Sequence, residues 1–288
     1  MRVSELNRYP LKSGRGIALN EAEMTAQGIP GDRVMMVTGP DGHFLTQREL
    51  QALAQVRATP VAAIEAGHAT RLGMDGKGDI EVAFTDPDRR MDVAVWKSVV
   101  SATVAGDTVN ATLSDWLQRD VRLVFFDARA RRTASPEWAG ADSPVTFADG
   151  YQVLITTTGS LDALNANMAA NGEEPVDMDR FRPNIVIDHD EAWAEDGWAA
   201  IEIAGIRFDF VKPCARCIMT TQDQQTGSRD VASPMAAMGR IRMSADRRVP
   251  GPLFGWNAVP RGTGRIGLGE TVRVIEERPE VWAIKRRG

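Results

Sequence analysis

Short β-prone runs separated by turn residues recur along this 288-residue sequence. Residues 34–37 form such a run, and Gly39-Pro40-Asp41-Gly42 follows as a cluster typical of a turn. Apolar and polar residues alternate between residues 201 and 211, and Ala204-Gly205 interrupts them, which predicts a hairpin. Further strands are predicted at residues 121–126, 151–156 and 271–275. The pattern predicts a mainly β fold with some helix.

Three short segments have helical signatures instead. Residues 49–55 predict a short helix, and Leu113, Trp116 and Leu117 have helical spacing. Ser160 is predicted to cap a third helix. The apolar face of that third helix consists of Leu161, Leu164 and Met168.

The segment 127–149 carries two prolines and several small polar residues. Such a stretch is either a linker or a long surface excursion. A predicted helix lies just before the strand at 121–126, and we therefore place a domain boundary near residue 120. The predicted domains are residues 1–120 and 121–288.

Charge and hydropathy argue against some classes of partner. The net charge of −5 does not suggest a nucleic-acid-binding surface, although it is compatible with a local basic pocket. The sequence lacks a run of about 18 apolar residues, the length that a membrane-spanning helix needs. Its N-terminus lacks the apolar stretch of a signal peptide. Two cysteines are too few for a secreted disulfide framework, and we therefore expect a cytoplasmic protein without a membrane segment.

Those two cysteines, Cys214 and Cys217, lie where the predicted hairpin runs out into a loop. Three interpretations are open: a reduced pair in a turn, a thioredoxin-like redox pair, and metal ligation. A redox pair needs a following helix, whereas residues 218–221 are β-prone. Structural zinc needs about four ligands, and the histidines are scattered. One thiolate that shares a metal with a cofactor remains open, and Arg216 beside Cys217 would favour the thiolate.

Two further stretches combine cations with hydrogen-bonding groups. The run Arg180-Phe181-Arg182-Pro183-Asn184 is either a pair of solvated arginines or a fork for phosphate or carboxylate. The run Lys12-Ser13-Gly14 is similar to the end of a phosphate-binding loop but lacks the leading glycines. Neither stretch identifies a ligand by itself.

Six runs nevertheless occur together in one order along nearly the whole chain. They are Tyr9-Pro10-Leu11-Lys12-Ser13, Gly31-Asp32-Arg33, Gly159-Ser160-Leu161 with Leu164-Asn165, Phe181-Arg182-Pro183-Asn184-Ile185-Val186, Cys214-Ala215-Arg216-Cys217 with Thr220-Thr221, and Pro252-Leu253-Phe254-Gly255-Trp256-Asn257. In this order and spacing they resemble the MOSC family, named for the C-terminal domain of molybdenum cofactor sulfurase. The branch they resemble contains the mitochondrial amidoxime-reducing component and its bacterial relatives.

The resemblance implies a β-barrel-like MOSC domain preceded by a smaller, mostly β, MOSC N-terminal domain, with a cofactor site between them. It implies a molybdenum cofactor, in which a pterin dithiolene (molybdopterin) and one protein cysteine hold the metal. Cys217 matches that cysteine, and Cys214 is expected to be a free or packed thiol. The positions that match contacts to the pterin and its phosphate are Lys12, Ser13, Arg33, Arg182, Asn184 and Asn257, with main-chain contacts expected from Ala215 and Arg216.

The resemblance also implies an activity, the reduction of N-hydroxylated compounds to amines or amidines. Two cysteines cannot hold an iron–sulfur cluster with its usual four thiolates, so electrons would come from a separate ferredoxin or flavin reductase type of protein. Asp223 is a candidate proton donor. Gln224 replaces a proline that relatives often carry, and we expect this to change the turn more than the chemistry. The alternatives are a sulfur carrier with a persulfide on Cys217 and a cofactor-binding protein without turnover.

Overall fold

The computed structural model describes residues 1–59, 69–84 and 86–285, and the fold is mainly β with some helix, as predicted. No helix within these ranges is long and apolar enough to cross a membrane. The strands are β1 (Arg2–Arg8), β2 (Ile17–Leu19), β3 (Glu21–Met24), β4 (Met35–Thr38), β5 (Arg57–Ala58), β6 (Ala69–Met74), β7 (Gly78–Ala83), β8 (Arg90–Val95), β9 (Ser98–Val104), β10 (Arg122–Phe125), β11 (Val153–Thr157), β12 (Ile185–Asp188), β13 (Trp198–Ile203), β14 (Ile206–Ala215), β15 (Leu253–Arg261), β16 (Gly264–Gly267) and β17 (Val272–Glu277). The α-helices are α1 (Asp107–Leu117), α2 (Pro136–Ala139), α3 (Thr158–Ala170) and α4 (Met235–Ile241). Single 3₁₀ turns cover Gln51–Gln55, Met178–Phe181, Ala194–Gly197 and Ile218–Thr221.

The largest sheet has eight strands in the order β17-β13-β14-β15-β11-β12-β1-β2. Its neighbours run antiparallel except β11 and β12, which run parallel. A second sheet has the order β4-β10-β9-β8, and the smaller sheets are β5-β6-β7 and β16-β3. All the predicted strands are present: the predicted runs overlap with β4, β10, β11, β13, β14 and β17. The predicted hairpin turns at Ala204 (φ 49°) and Gly205 (φ 77°), the left-handed pair that a tight β-turn requires.

The two large sheets exchange strands across residue 120. Strand β1 pairs with β12, so that Leu6 faces Ile185 in the eight-stranded sheet. Strand β10 pairs with β4, so that Val124 faces Met36 in the four-stranded sheet. The domain boundary near residue 120 stays a prediction, since hydrogen-bonded sheets cross it in both directions. This exchange brings the residues that follow β1 to the residues that precede β12.

Each large sheet buries its own apolar face. In one core, residues from several strands of the eight-stranded sheet pack together, among them Leu6, Ile201 and Phe208. Another packs Leu123 of β10 against Trp116 of α1. Burying each such side chain contributes about 1.5–3 kcal/mol to stability.

The helices differ from the predictions in their details. The segment 49–55 forms only a 3₁₀ turn, Gln51–Gln55, and not a full helix. Helix α3 buries Leu164 and Met168 as predicted, but Thr157 caps it, because its hydroxyl oxygen accepts a hydrogen bond from the Ser160 backbone N–H. The prediction of an extended chain at 218–221 was wrong, since Ile218–Thr221 is a 3₁₀ turn.

Candidate functional site

A cleft of about 1340 Å³ is lined by residues from both halves of the chain. Pockets for small ligands usually have volumes of about 300–1,000 Å³, so this cleft has room for a large cofactor and a small substrate. Almost all the predicted site residues line it, namely Lys12, Ser13, Arg33, Arg182, Asn184, Ala215, Arg216, Cys217 and Asn257. The structure therefore brings together residues that are far apart in the sequence.

The charge of the cleft is opposite to that of the protein. Among the described residues that line it, ten are lysines or arginines and two, Glu49 and Asp149, are carboxylates. The whole chain has a net charge of −5. Cations held at such density repel one another unless an anion offsets them. The cleft is therefore suited to a ligand with several negative charges.

Cys217 lies where the sheet ends and the chain turns into the cleft. The pairing of β14 with β15 stops at Ala215, and the Arg216 N–H donates to the Pro252 carbonyl at 2.7 Å. The carbonyl of Cys217 then accepts from both the backbone N–H and the hydroxyl of Thr220, each at 3.1 Å. These two bonds fix the turn that presents the cysteine side chain.

Each cysteine sulfur accepts a hydrogen bond from a different arginine. Arg48 Nη2 lies 3.2 Å from Cys217 Sγ, whereas Arg216 Nη1 lies 2.9 Å from Cys214 Sγ. Arg216, which was predicted to act on Cys217, therefore contacts Cys214 instead, and Arg48 is the arginine at the sulfur of Cys217. The two cysteines are free thiols.

The segment 127–149, predicted as a linker or a surface excursion, contributes Asp149 to the cleft. Lys12 Nζ donates to the carboxylate of Asp149 and to the Phe147 carbonyl. Partial desolvation in the cleft would raise the pKa of Asp149, whose side chain is 65% exposed, but Lys12 together with Arg48 and Trp96 outweighs this effect and holds the pKa far below its usual range. Burial lowers the pKa of Lys12, although Asp149 opposes this effect. Lys12 is thus a cation that one carboxylate already partly offsets.

Two arginines on opposite halves of the chain share one aromatic ring. The guanidinium carbons of Arg33 and Arg182 lie 4.2 Å and 4.3 Å from the ring centroid of Tyr9. Burial raises the pKa of Tyr9 to about 12, so its hydroxyl stays neutral and donates to the Pro183 carbonyl at 3.1 Å. Tyr9 therefore holds two like charges close together, and of these two Arg33 is also paired with the buried carboxylate of Asp32 at 2.5 Å.

Arg182 is the arginine with the clearest unused donor. Its Nη1 donates to Gln224 Oε1 at 3.0 Å, but its Nη2 is buried and has no hydrogen-bond partner among the described residues. Burial lowers its pKa to about 10, with Tyr9 and Arg33 as smaller influences. A buried donor without a partner carries a free-energy penalty of about 1–3 kcal/mol, which an anion in the cleft would remove.

Asn184 and Asn257 differ in how far their amides are already used. Asn184 Oδ1 accepts from Arg33 Nη1 at 3.1 Å and from the Leu154 N–H at 3.2 Å, and its Nδ2 donates to the Asn7 carbonyl. Asn184 therefore orients Arg33. Asn257 Nδ2 donates to the Lys212 carbonyl at 3.1 Å, which leaves its Oδ1 as an acceptor for a ligand.

Backbone strain is concentrated at this cleft. Eight described residues other than glycine have a left-handed φ, and half of them line the cleft: Ser13, Arg33, Trp96 and Arg182. Each such conformation costs about 1–3 kcal/mol and persists only where the surrounding structure enforces it. The fold therefore holds Ser13, Arg33 and Arg182, which could donate hydrogen bonds to an anion, in backbone conformations that these residues rarely adopt by themselves.

The structure does not support Asp223 as the proton donor. Asp223 does not line the cleft, and its Oδ1 accepts from the Gln225 N–H and from the N–H and hydroxyl of Thr226. Burial would raise its pKa, but the hydrogen bonds from Thr226 and Gln225 outweigh it and hold the pKa below its usual range. Asp223 is therefore an ionised turn residue.

Sequence reasoning missed two residues that frame Cys217. Arg48 donates to its sulfur and also packs over Trp96, at 4.9 Å from the ring centroid. Trp96 is 47% exposed at the tip of the β8–β9 hairpin, and its Nε1 donates to Asp149 Oδ1 at 3.3 Å. No local pattern marks either residue, because both reach the cleft from elements distant in sequence.

These donors match the chemistry of a phosphate-bearing pterin with a metal. Guanidinium and ammonium groups suit a phosphate, amides and backbone groups suit a pterin, and a thiolate suits a soft metal. The buried Nη2 of Arg182 gives an independent reason to expect an anion. The residues present therefore fit the cofactor that the resemblance implies.

Comparison with known proteins agrees with this geometry. Residues 1–120 match the MOSC N-terminal beta barrel domain, and residues 142–273 match the MOSC domain. The mitochondrial amidoxime-reducing component 1 of Danio rerio is 30% identical over 285 residues, which cover 95% of this chain and 84% of that protein. The component 2 of Bos taurus is 30% identical (94% and 82% covered), and the component 1 of Homo sapiens is 28% identical (95% and 82% covered). The chain therefore belongs to the family of MOSC-domain proteins that includes the mitochondrial amidoxime-reducing components.

Proposed function

We propose that this chain is a molybdenum-cofactor-dependent reductase, which converts N-hydroxylated compounds such as hydroxylamines and amidoximes to amines or amidines and water. The observation that carries the proposal is a strongly cationic cleft that presents the thiol of Cys217. Relatives named for amidoxime reduction, similar over nearly the whole chain, support this reaction class.

In this proposal three groups of residues bind different parts of the cofactor. Lys12, Arg33 and Arg182 hold the anionic end, and Cys217 ligates the metal. Contacts to the pterin come from Ser13, Asn257 and the main chain of Ala215 and Arg216, while Asn184 acts through Arg33. When bound, the cofactor would supply the two-electron chemistry that removes oxygen from nitrogen.

The protein's own contribution is orientation and electrostatics. Arg48 holds the sulfur of Cys217 in place, and Trp96 walls the cleft beside it. Each turnover consumes a pair of electrons and a pair of protons. We propose that the electrons come from a separate ferredoxin or flavin reductase type of protein, and that the reaction takes place in the cytoplasm.

Molybdenum content tests the proposal directly. We would express the wild type, Cys217→Ala and Cys214→Ala in a host that makes the cofactor and measure the metal by elemental analysis. Cys214 is the matched control, because it lies three residues before Cys217, at the end of β14, and its sulfur accepts from Arg216 and not from Arg48. We expect molybdenum stoichiometric with the chain in the wild type and Cys214→Ala, and its loss in Cys217→Ala.

Turnover of benzamidoxime with an artificial electron donor completes this experiment. A metal-free wild type with a persulfide on Cys217 would contradict the proposal and favour a sulfur carrier. Stoichiometric molybdenum without turnover of any hydroxylamine or amidoxime would favour a cofactor-binding protein instead.

A further inference from the structure

Two buried glutamines lie between the segments that carry the site. Gln47 is fully buried and Gln224 is 3% exposed. Gln224 Oε1 accepts from Gln47 Nε2 at 3.2 Å, so the two amides contact each other directly. We call this pair the amide bridge.

Gln224 connects Arg182 to the cysteine loop. Its Oε1 accepts from Arg182 Nη1 at 3.0 Å, and its Nε2 donates to the backbone carbonyls of Gln222 and Met219 at 2.9 Å and 3.4 Å. Met219 lies in the 3₁₀ turn that begins at Cys217. One side chain therefore holds a guanidinium and the turn that presents the thiol.

Gln47 extends the connection to the N-terminal segment. Its Nε2 also donates to the Ser13 carbonyl at 2.9 Å, next to Lys12. Arg229 Nη2 in turn donates to the carbonyls of Gln47 and Arg48 at 3.3 Å and 3.1 Å. The amide bridge thus joins three separate stretches of chain, each of which lines the cleft.

We propose that Gln224 is a positioning residue, which holds the guanidinium of Arg182 at the wall of the cleft, so that the charge and the unpartnered Nη2 of Arg182 can bind an anion there. Gln224 accepts a hydrogen bond from one edge of the Arg182 guanidinium, and the ring of Tyr9 packs against the flat face of the same group. Rotation of the guanidinium is therefore restricted from two directions. A neutral amide is suited to this task, because a carboxylate at the same place would itself offset the charge of Arg182. The inference rests on the proposed function only in that an anionic group binds at Arg182.

This role goes beyond packing. An aliphatic side chain could fill the same space, whereas a buried amide is tolerated only where it is hydrogen-bonded. Both polar atoms of the Gln224 side chain have partners, and three of these four partners belong to Arg182, Gln47 and the cysteine turn. Replacement of the proline by Gln224 was expected to change the turn more than the chemistry, and the hydrogen bond to Arg182 gives this position a contact with the site that a proline cannot make.

The test uses cofactor-free protein and sulfate, whose charge stays constant near neutral pH. We would measure sulfate affinity by calorimetry for the wild type, Gln224→Leu, Arg182→Ala and the double variant. We expect Gln224→Leu to weaken binding about ten-fold, which corresponds to about 1.4 kcal/mol. In the Arg182→Ala background the same substitution should have no further effect, because the residue through which it acts is gone.

Gln225→Ala is the matched control, since it removes an exposed amide at the next position. It should bind sulfate like the wild type. Thermal unfolding of every variant checks that each is folded at the temperature of the titration. If Gln224→Leu does not fold, Gln47→Leu removes the other half of the amide bridge and should weaken sulfate binding about three-fold.

Three results would overturn the inference: an unchanged sulfate affinity in folded Gln224→Leu, an equal loss with and without Arg182, or a wild type that binds no sulfate. A merely structural role predicts a lower unfolding temperature with unchanged affinity. Failure of the proposed function would give a different result: the wild type would lack molybdenum, while the sulfate affinities of the wild type and the variants would still follow the expected pattern.

Discussion

Two buried arginines, one in the cleft and one outside it, show how burial leads to different outcomes. Arg242 pairs with Asp196 through both of its Nη atoms, at 2.7 Å and 3.0 Å, and their side chains are 5% and 3% exposed. Arg182 is 8% exposed, but its hydrogen-bond partner is the neutral amide of Gln224. The two arginines are equally hidden and differ in whether a carboxylate offsets the charge.

The surroundings of Arg242 form a closed network. Trp256 Nε1 also donates to Asp196 Oδ1 at 3.0 Å, and the neighbouring Glu195 accepts from the hydroxyl of Ser160 at 2.8 Å. None of these residues lines the described cleft. The charge of Arg242 is thus offset within the chain, although its Nε has no hydrogen-bond partner among the described residues, and we interpret this network as structural. Arg182 has no carboxylate within hydrogen-bond distance among the described residues, and an external anion can offset its charge. Charge compensation, and not burial, separates the two kinds of site.

The largest expected effect is the loss of the closed pair. Asp196→Ala leaves the guanidinium of Arg242 buried without an anion, which should lower the free energy of unfolding by about 3–5 kcal/mol. Guanidinium chloride unfolding of the cofactor-free protein measures this change.

Asp246→Ala provides the matched control. Its pair with Arg248 has the same N···O distance of 2.7 Å, but those side chains are 24% and 61% exposed. Exposed pairs contribute about 0–1 kcal/mol, so this variant should unfold almost like the wild type. Equal effects of the two substitutions would break the distinction between the closed network and the surface.

Arg182→Ala should behave in the opposite way. It removes a buried charge that no carboxylate offsets, so the free energy of unfolding should change by less than about 1 kcal/mol. Sulfate binding should weaken by at least about ten-fold, since a hydrogen bond to a charged group contributes about 1.5–3 kcal/mol. Unfolding and calorimetric titration of the same samples measure both quantities. A large loss of stability without a loss of sulfate affinity would place Arg182 with Arg242, as a structural residue.

The strands of the fold could be predicted because their signal is local. The alternation at 201–211 and the apolar run at 121–126 both mark strands by themselves, and both are present as β13–β14 and β10. The exchange of β1 and β10 between the two sheets could not be predicted, since strand pairing depends on long-range contacts. The capping of α3 was assigned to Ser160 because Thr157 is also a β-strand former and lies at the end of β11.

The site divides in the same way. The resemblance supplied the residues that line the cleft, including Cys217 and Arg182. It could not supply Arg48, because its contact with Cys217 joins residues 169 positions apart. Sequence spacing also could not show that the carboxylate of Asp223 is already used within its own turn, where one of its oxygens accepts three hydrogen bonds. Left-handed backbone at Arg33 and Arg182 is likewise imposed by tertiary structure, against the preference of arginine.

The smallest expected effect concerns two carboxylates with opposite pKa shifts. Burial and the adjacent charge of Asp196 raise the pKa of Glu195 in the closed network, whereas Lys12 holds the pKa of Asp149 in the cleft below its usual range. The folded state therefore binds a proton on Glu195 more tightly than the unfolded state does. This contribution to stability is complete below the unfolded pKa of 4.5 and is lost as the pH rises through the raised folded pKa.

Glu195→Gln should accordingly remove a fall in stability that begins near the ordinary glutamate pKa, by less than about 1 kcal/mol. Asp149→Asn should act with the opposite sign, because the contribution of Asp149 is present above its unfolded pKa of 3.8 and is lost on acidification. Unfolding free energies measured from about pH 2 to about pH 7 at constant ionic strength separate the two slopes, because that of Asp149 lies below about pH 4 and that of Glu195 lies above it. A second possible result is that both variants change the dependence of unfolding free energy on pH in the same direction. That result would contradict the contrast between Glu195, whose pKa is raised in the closed network, and Asp149, whose pKa is lowered in the cleft. Slopes of opposite sign would show that the cleft favours negative charge where the closed network opposes it, which is the property that an anionic cofactor needs.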